Sequence, residues 1–318
     1  MGRKFVNLDA DEGIFFSKEL EFLKARTYDR LYPELLARRL FPVDSSADTG
    51  ASTITYQSWD HIGAAKLIHS YAMDLPNIDV SAKEVTRKIY GEGAAFGYSL
   101  QDIRAARFAG KPLEQRKADA TRRQMLQLEN KIAFHGNDVD KGVPGTDIPA
   151  FINNADFNSV TIPQNGGSTS TLWENKTPDE ILNDVGLMVT SIRDISNGVE
   201  APNTLILPEK QFTHISTTPR SSTSDTTILN FLLMSNAWIN QVIPVYNLKG
   251  AAPNGGYNGN DCMMLYDLSP DKLTLEVPQD IEMLPVQESA LYFEIPVHAR
   301  TAGVIVYYPK SIAQGNGI

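Results

Sequence analysis

The chain has 318 residues, 42% of them hydrophobic and 21% charged, enough apolar material for a sizeable core in one or two domains. A formal net charge of −9 argues against a dedicated nucleic-acid binder, because neutralising phosphates normally leaves a Lys/Arg surplus. The single cysteine, Cys262, excludes an intrachain disulfide. The opening MGRKFVNLDADEGIFF lacks the apolar stretch of a signal peptide, and no window approaches the roughly 18 apolar residues of a membrane span, so a cytoplasmic, membrane-free protein is expected.

The spacing predicts an amphipathic helix over Ser17 to Leu40, interrupted at Pro33, with Leu20, Leu23, Thr27, Leu31 and Leu35 on one stripe. The polar run Asp44 to Gly50 separates this arm from the rest. STITYQSW (Ser52 to Trp59) and EVTRKIY (Glu84 to Tyr90) read as strands. The long excursion between them shows little core of its own, and a two-stranded extension is marginal alone, so both it and the arm are expected to bury little against their own subunit. Ser99-Leu100-Gln101-Asp102 spells a capping box opening a helix to about Ala109, closed by Gly110. Pro112 suits the first turn of a longer helix to about Phe134, with Met125, Leu128 and Ile132 as its apolar stripe and residues such as Lys117 and Glu129 on its charged exterior.

Thr177, Pro178 and Glu180 mark another helix start, with Ile181, Val185, Met188, Ile192 and Ile195 expected inside and Gly198 as stop. A strand Thr204 to Leu207, a helix from Pro208, a polar loop Thr217 to Thr227 and a helix Thr227 to Asn236 follow. Strands are then predicted at Gln241 to Leu248, Cys262 to Asp267, Lys272 to Val277 and Gly303 to Tyr308. The runs Pro163 to Thr171 and Gly250 to Asp261 read as surface loops. No solenoid or propeller repeat is present, so the fold class is α+β.

Reactive chemistry finds little support. Gly91, Glu92, Gly93 and Gly97 do not complete a dinucleotide loop and read better as a tight turn into the Ser99 helix; Gly110-Lys111-Pro112 lacks the rest of a P-loop. Asp9 and Asp11, like Asp138 and Asp140, lack the glycine and glutamate that complete an EF-hand, and His61 and His69 miss the helical spacing of a zinc pair. No Gly-x-Ser-x-Gly elbow exists, and nothing places His135, His214 or His298 beside a serine or Cys262. His135 near a helix C-terminus is explained by the helix dipole, and Cys262, followed by Met263 and Met264, by burial. No catalytic, cofactor-binding or metal residues are assigned.

The order of these landmarks resembles the tailed-bacteriophage major capsid protein fold of the Hong Kong ninety-seven type, shared with encapsulins. The resemblance rests on Tyr32-Pro33-Glu34-Leu35 in the arm, the flanked extension with Leu75 to Val80, and the run Phe96 to Arg107 continuing to Pro112. Ala133-Phe134-His135-Gly136, Gly142-Val143-Pro144-Gly145 and Arg300 to Pro309 complete it. It implies an N-terminal arm (1–50), an extended loop (51–92), a peripheral domain (93–165 and 286–318, spine helix 112–135) and an axial domain (166–285), with 250–261 facing a symmetry axis. It further implies a structural subunit, not an enzyme, that assembles with itself into pentamers and hexamers around double-stranded DNA. Scaffolding, portal and decoration proteins are implied partners, DNA is met by non-specific proximity, and assembly takes place in the host cytoplasm for residence in the virion. The family's type member joins subunits by a lysine–asparagine bond; Lys66 and Lys83 lie in the corresponding region, but with no identifiable asparagine or glutamate partner, non-covalent assembly is expected. The chain lacks a long N-terminal scaffold-like extension, so a separate scaffold or a cleaved segment is expected. An encapsulin-like compartment and a soluble enzyme are the alternatives.

Overall fold

The computed structural model describes residues 34–63, 77–109, 113–167, 170–221, 223, 225–251 and 261–318. The first elements are a helical turn α1 (Ala37–Leu40), strand β1 (Val43–Asp44), the long strands β2 (Thr53–Ile62) and β3 (Asp79–Lys88), and β4 (Tyr90–Ser99) running directly into α2 (Leu100–Ala109) and then α3 (Leu113–His135). Strand β5 (Asn158–Thr161) precedes α4 (Pro178–Ile195), β6 (Thr204–Leu207), α5 (Glu209–Thr217), α6 (Ile228–Ser235) and β7 (Gln241–Pro244). The remainder is strand-rich: β8 (Cys262–Tyr266), β9 (Leu273–Glu276), β10 (Gln279–Met283), β11 (Gln287–Ser289), β12 (Tyr292–Thr301), β13 (Gly303–Val306) and β14 (Ala313–Asn316).

The central sheet has the order β5-β14-β8-β6-β7. Its middle strand β8 is buried along its whole length, and its side chains divide by the two-residue strand period. Cys262, Met264 and Tyr266 enter one core with Ile206, Phe134 and Phe151. Met263 and Leu265 point the other way, into the helices, against Ile181, Val185, Met188 and Ile192 of α4 and Ile228 and Leu232 of α6. The start of α4 carries the predicted capping box: Thr177 Oγ1 accepts from Glu180 N while Thr177 N donates to Glu180 Oε2 at 2.7 Å. Ile195, expected inside, is the last residue of α4 and is 47% exposed.

A second sheet is built on β12, which pairs along its full length with β4, from Tyr292↔Ser99 to Thr301↔Tyr90, and on its other side with β10 and then β11. Phe96, Tyr98, Met125, Val297 and Ala299 form the core between this sheet and α3. The glycines expected to make a tight turn at 91–97 lie inside β4 instead, because the strand partner that straightens them is about 200 residues away in sequence. The Ser99 box is present at its end: Asp102 N donates to Ser99 Oγ and Ser99 N to Asp102 Oδ2, both at 3.1 Å. The small sheet β1-β9-β13 completes the fold. Both larger sheets cross the division expected near residue 285: β10 pairs with β12, and β14 with β8.

Two further corrections concern local structure. The strand predicted to run to Leu248 stops at Pro244; Val245 N still donates to Leu207 O at 2.7 Å, and the chain then enters a 3-10 turn, Tyr246–Leu248. Of the helix predicted over Ser17 to Leu40, residues up to Pro33 lie outside the described residues. The described part buries Leu36, Ala37 and Leu40 rather than Leu35.

Candidate assembly surface

The segments expected to bury little of themselves behave in two ways. Leu36, Ala37, Leu40 and Phe41 enter the unit's own core, contrary to expectation. Asn130 Oδ1 accepts from Leu36 N at 3.1 Å and Ala37 N at 3.0 Å, capping α1, and Tyr266 Oη donates to Leu40 O at 3.1 Å. Phe41 packs edge-on against Phe134 and Phe151 at 5.4 and 4.7 Å, an arrangement that suits the ring quadrupoles. Val43–Asp44 then adds a parallel strand to β9.

A charged junction holds the same turn to the spine helix. Arg38 forks onto Glu129 of α3, with Nε to Oε1 at 2.7 Å and Nη2 to Oε2 at 2.6 Å, and also reaches Asp280 Oδ1 of β10 at 2.7 Å. The hydrogen bonds to Glu129 and then Asp280 raise the guanidinium's pKa further, and the bond from Arg38 holds the Asp280 carboxyl below its ordinary range. A third carboxyl, Glu92 of β4, lies beneath this pair, buried, with Oε1 lacking a hydrogen-bond partner. Burial, reinforced by the charge of Glu129, raises it to about 7. Glu129 does not lie on the charged exterior where it was expected: it is four residues past Met125 and three before Ile132, on the buried stripe. Lys117, also expected outside, donates to Gly97 O at 2.6 Å and lies over the Tyr98 ring.

The hairpin β2–β3 is different. Its register runs from Thr53↔Lys88 to Ile62↔Asp79, and only its base is partly covered. There Ile89 N donates to Ser52 O, Arg300 donates to Thr49 O and Ala51 O, and Tyr56 stands edge-on to Tyr307 at 5.0 Å. Further out one face carries Trp59, Ala82, His61 and Val80; Trp59 is 62% exposed. Two grooves of about 700 and 790 Å³ flank the Tyr56–Tyr307 contact. Lys83 projects on this hairpin opposite Ser58, while Lys66 lies outside the described residues.

The remaining candidates are scattered. Asp138 Oδ1 accepts from Asp140 N and Lys141 N, closing a turn. His135 is buried and desolvation lowers it to about 4, so the ring is neutral and the dipole explanation, which needs the charged form, is replaced by contact with Asn247 at 3.3 Å. Cys262 is fully buried, and burial pushes its thiol up. His61 is on the hairpin and His298 on β12 opposite Gly93, whereas His69, Asp9, Asp11 and Gly110 to Pro112 lie outside the described residues. Among the described residues no three His, Cys, Asp or Glu side chains gather as a metal site, and no helix is long and apolar enough to cross a membrane. Among the described residues the concentrated features are thus the arm junction and the hairpin surface.

Comparison with known proteins points the same way. The profile of the family described as Major capsid protein matches residues 63–318. Among curated proteins nothing matches. Of solved structures, the capsid of Myoviridae phage XM1 superposes with a TM-score of 0.81 at 12% identity, covering 96% of this chain and 100% of that one. The capsid of a native GTA particle gives 0.61 at 12% identity over 97% and 99%. A virus-like particle from Pyrococcus furiosus gives 0.50 at 12% identity over 87% and 90%.

Proposed function

The chain belongs to the major capsid protein family, and from that premise we propose that it closes, as pentamers and hexamers, an icosahedral head shell around a double-stranded DNA genome. It is a structural shell subunit that assembles with itself and not an enzyme. The observation that carries the assembly reading is the hairpin β2–β3, whose outer half presents Trp59 and Val80 to solvent. Apolar area of this kind is stabilised when a neighbour covers it. A heterologous contact repeated about an axis closes into a ring, and many weak contacts cooperate across a lattice.

In this reading residues 1–50 form the arm, 51–92 the extended loop, 93–165 with 286–318 the peripheral domain and 166–285 the axial domain, tied together by the sheets that cross residue 285. Scaffolding, portal and decoration proteins are the further partners, and assembly occurs in the host cytoplasm. The net charge of −9 suits a lining that encloses DNA without gripping it. Negative-stain microscopy of the purified chain, together with a variant lacking residues 60–80, tests the proposal. Closed shells from the first and a folded, shell-less subunit from the second are expected; small oligomers from the unaltered chain would overturn it. Nuclease-protected DNA inside particles from infected cells separates a viral head from an encapsulin-like compartment, which would enclose protein.

A further inference from the structure

The tip of the second sheet has properties that its own fold does not require. Strands β11 and β12 are joined by a two-residue turn, Ala290–Leu291, since Ser289 pairs with Tyr292. Such turns demand positive φ and favour Asn or Gly. Here an alanine occupies that position at φ 55°, a strained choice for a residue with a Cβ, and the next residue, Leu291, is 68% exposed. Val286, 53% exposed, and the exposed Leu284 precede β11, with Val286 two residues before Glu288, while the exposed Tyr292 lies opposite Ser289 on the other face of the hairpin. The three residues of β11 are exposed throughout, with Glu288 among them, and Glu282 of β10 is exposed as well.

A complementary face exists on the same chain. Helix α2 carries Phe108, 96% exposed, and Arg104 four residues earlier, which is also exposed. Residues four apart on a helix share one face, so this face offers an apolar ring beside a cation. The turn offers apolar side chains beside carboxylates.

We propose that the Met283–Tyr292 turn docks on the Arg104–Phe108 face of α2 in a second copy of this chain, forming a self-association contact separate from the arm and the extended loop. The proposal rests on the shell reading. A donor face and a different acceptor face on one chain define a heterologous contact, which closes rings or extends sheets of subunits. The opposite charges fix its polarity and disfavour turn-to-turn pairing, where Glu288 would face its own copy. The acceptor lies beside the donor: Leu100 N, at the start of α2, donates to Leu291 O at 2.9 Å. Adjacent donor and acceptor suit a small closed ring of copies.

Because Cys262 is the only cysteine and is buried, introduced thiols report alone. The test is Leu291→Cys and Phe108→Cys, singly and together, in shells assembled from the full chain and mildly oxidised, read on a non-reducing gel. Phe108 lies eight residues, about 12 Å, along α2 from Leu100, so covalent multimers report contact between copies. The double variant is expected to give a ladder of multimers and each single variant to stay monomeric. Dimers from Leu291→Cys alone would overturn the proposal by placing the turn on its own copy. Intact shells of the double variant that stay monomeric, with position 291 labelled by a maleimide, would overturn it by leaving the turn free for another partner. Should the double variant not assemble, Leu291→Ser decides: an unchanged unfolding midpoint with at least a tenfold loss of shell yield supports the contact, and full yield overturns it. An unaltered chain that forms no shells overturns the shell reading and this contact with it.

Discussion

Replacing Glu92 by Gln removes one titration from the interior and isolates what that carboxyl does to stability. Glu92 is 7% exposed, and burial with the nearby charge of Glu129 raises it from 4.5 to about 7. The folded subunit therefore keeps a proton between these values that the unfolded chain has released. Bound protons are more numerous in the native state over that window, so stability is full below about pH 4.5 and falls as pH rises through 7. A shift of about 2.5 units at 1.36 kcal/mol per unit sets the loss at about 3 kcal/mol. Asp280, held low by Arg38, contributes with the opposite sign at more acid pH. Only the difference between the variant and the unaltered chain is thus informative. Chemical unfolding of the unassembled subunit at pH 5, 6, 7 and 8 supplies it. The Glu92→Gln variant should exceed the unaltered chain by about 1 kcal/mol at pH 5 and progressively more above it, by about 3 kcal/mol at pH 8. A difference that stays constant across the series would refute the assignment of a proton to the buried Glu92.

Asp184→Asn should lower stability by about 3 kcal/mol or more, because it strips the counter-charge from Lys176, whose Nζ lies 2.6 Å away with its side chain 1% exposed; Lys176→Met combined with Asp184→Leu should recover most of this in urea unfolding. Gly97→Ala should cost about 1–3 kcal/mol, since the added methyl would meet Phe293 O at 2.7 Å and the Tyr292 ring, whereas Gly93→Ala, with nothing closer than 4.0 Å, should be nearly silent. Trp59→Ser should leave stability within about 0.5 kcal/mol but cut shell yield in sedimentation at least tenfold; full yield would remove the hairpin face from the contacts.

Elements announced by their own residues were legible: the Thr177 box, the Ser99 box, and β8, whose run Cys262 to Tyr266 is apolar at every position because both of its faces are covered. Strands whose stability comes from distant partners were not. Tyr292–Thr301 contains Pro296, yet it runs ten residues, as long as β4, because β4 and β10 flank it. Ala313–Asn316, sequence AQGN, has no strand propensity, but β5 and β8 hold it between them. The buried Glu129 was within reach, since its position on the Met125–Ile132 stripe conflicts with its charge, and a charge on a buried stripe calls for a cation. That the cation would be Arg38, 91 residues earlier, no spacing could reveal. The proposed contact surfaces were visible only indirectly, as apolar residues for which the described residues offer no internal partner.

The two proposed contact surfaces differ mechanically, and under the proposed assembly into pentamers and hexamers this bears on how one chain would close both rings. The hydrogen bonds described between the hairpin β2–β3 with its flank and the rest of the unit gather at its base, where Arg300 donates to Thr49 O and Ala51 O and Tyr56 Oη to Val306 O. A pivot there would disturb few interactions while carrying Trp59 several ångströms, given a rise of about 3.3 Å per residue along the strand. The Met283–Tyr292 turn has no such freedom. It is continuous with β12, which is paired over ten positions with β4 and packed through Phe96 and Val297 onto α3, so moving it means moving the sheet. In a shell that closes both five- and sixfold rings, the local angle between subunits must vary while some contact stays fixed. The braced turn is suited to be the fixed contact and the hinged hairpin the one that adapts. Comparing subunits from the two ring types should therefore show the Leu291–Phe108 distance conserved and the position of Trp59 changed; the reverse pattern would exchange their roles.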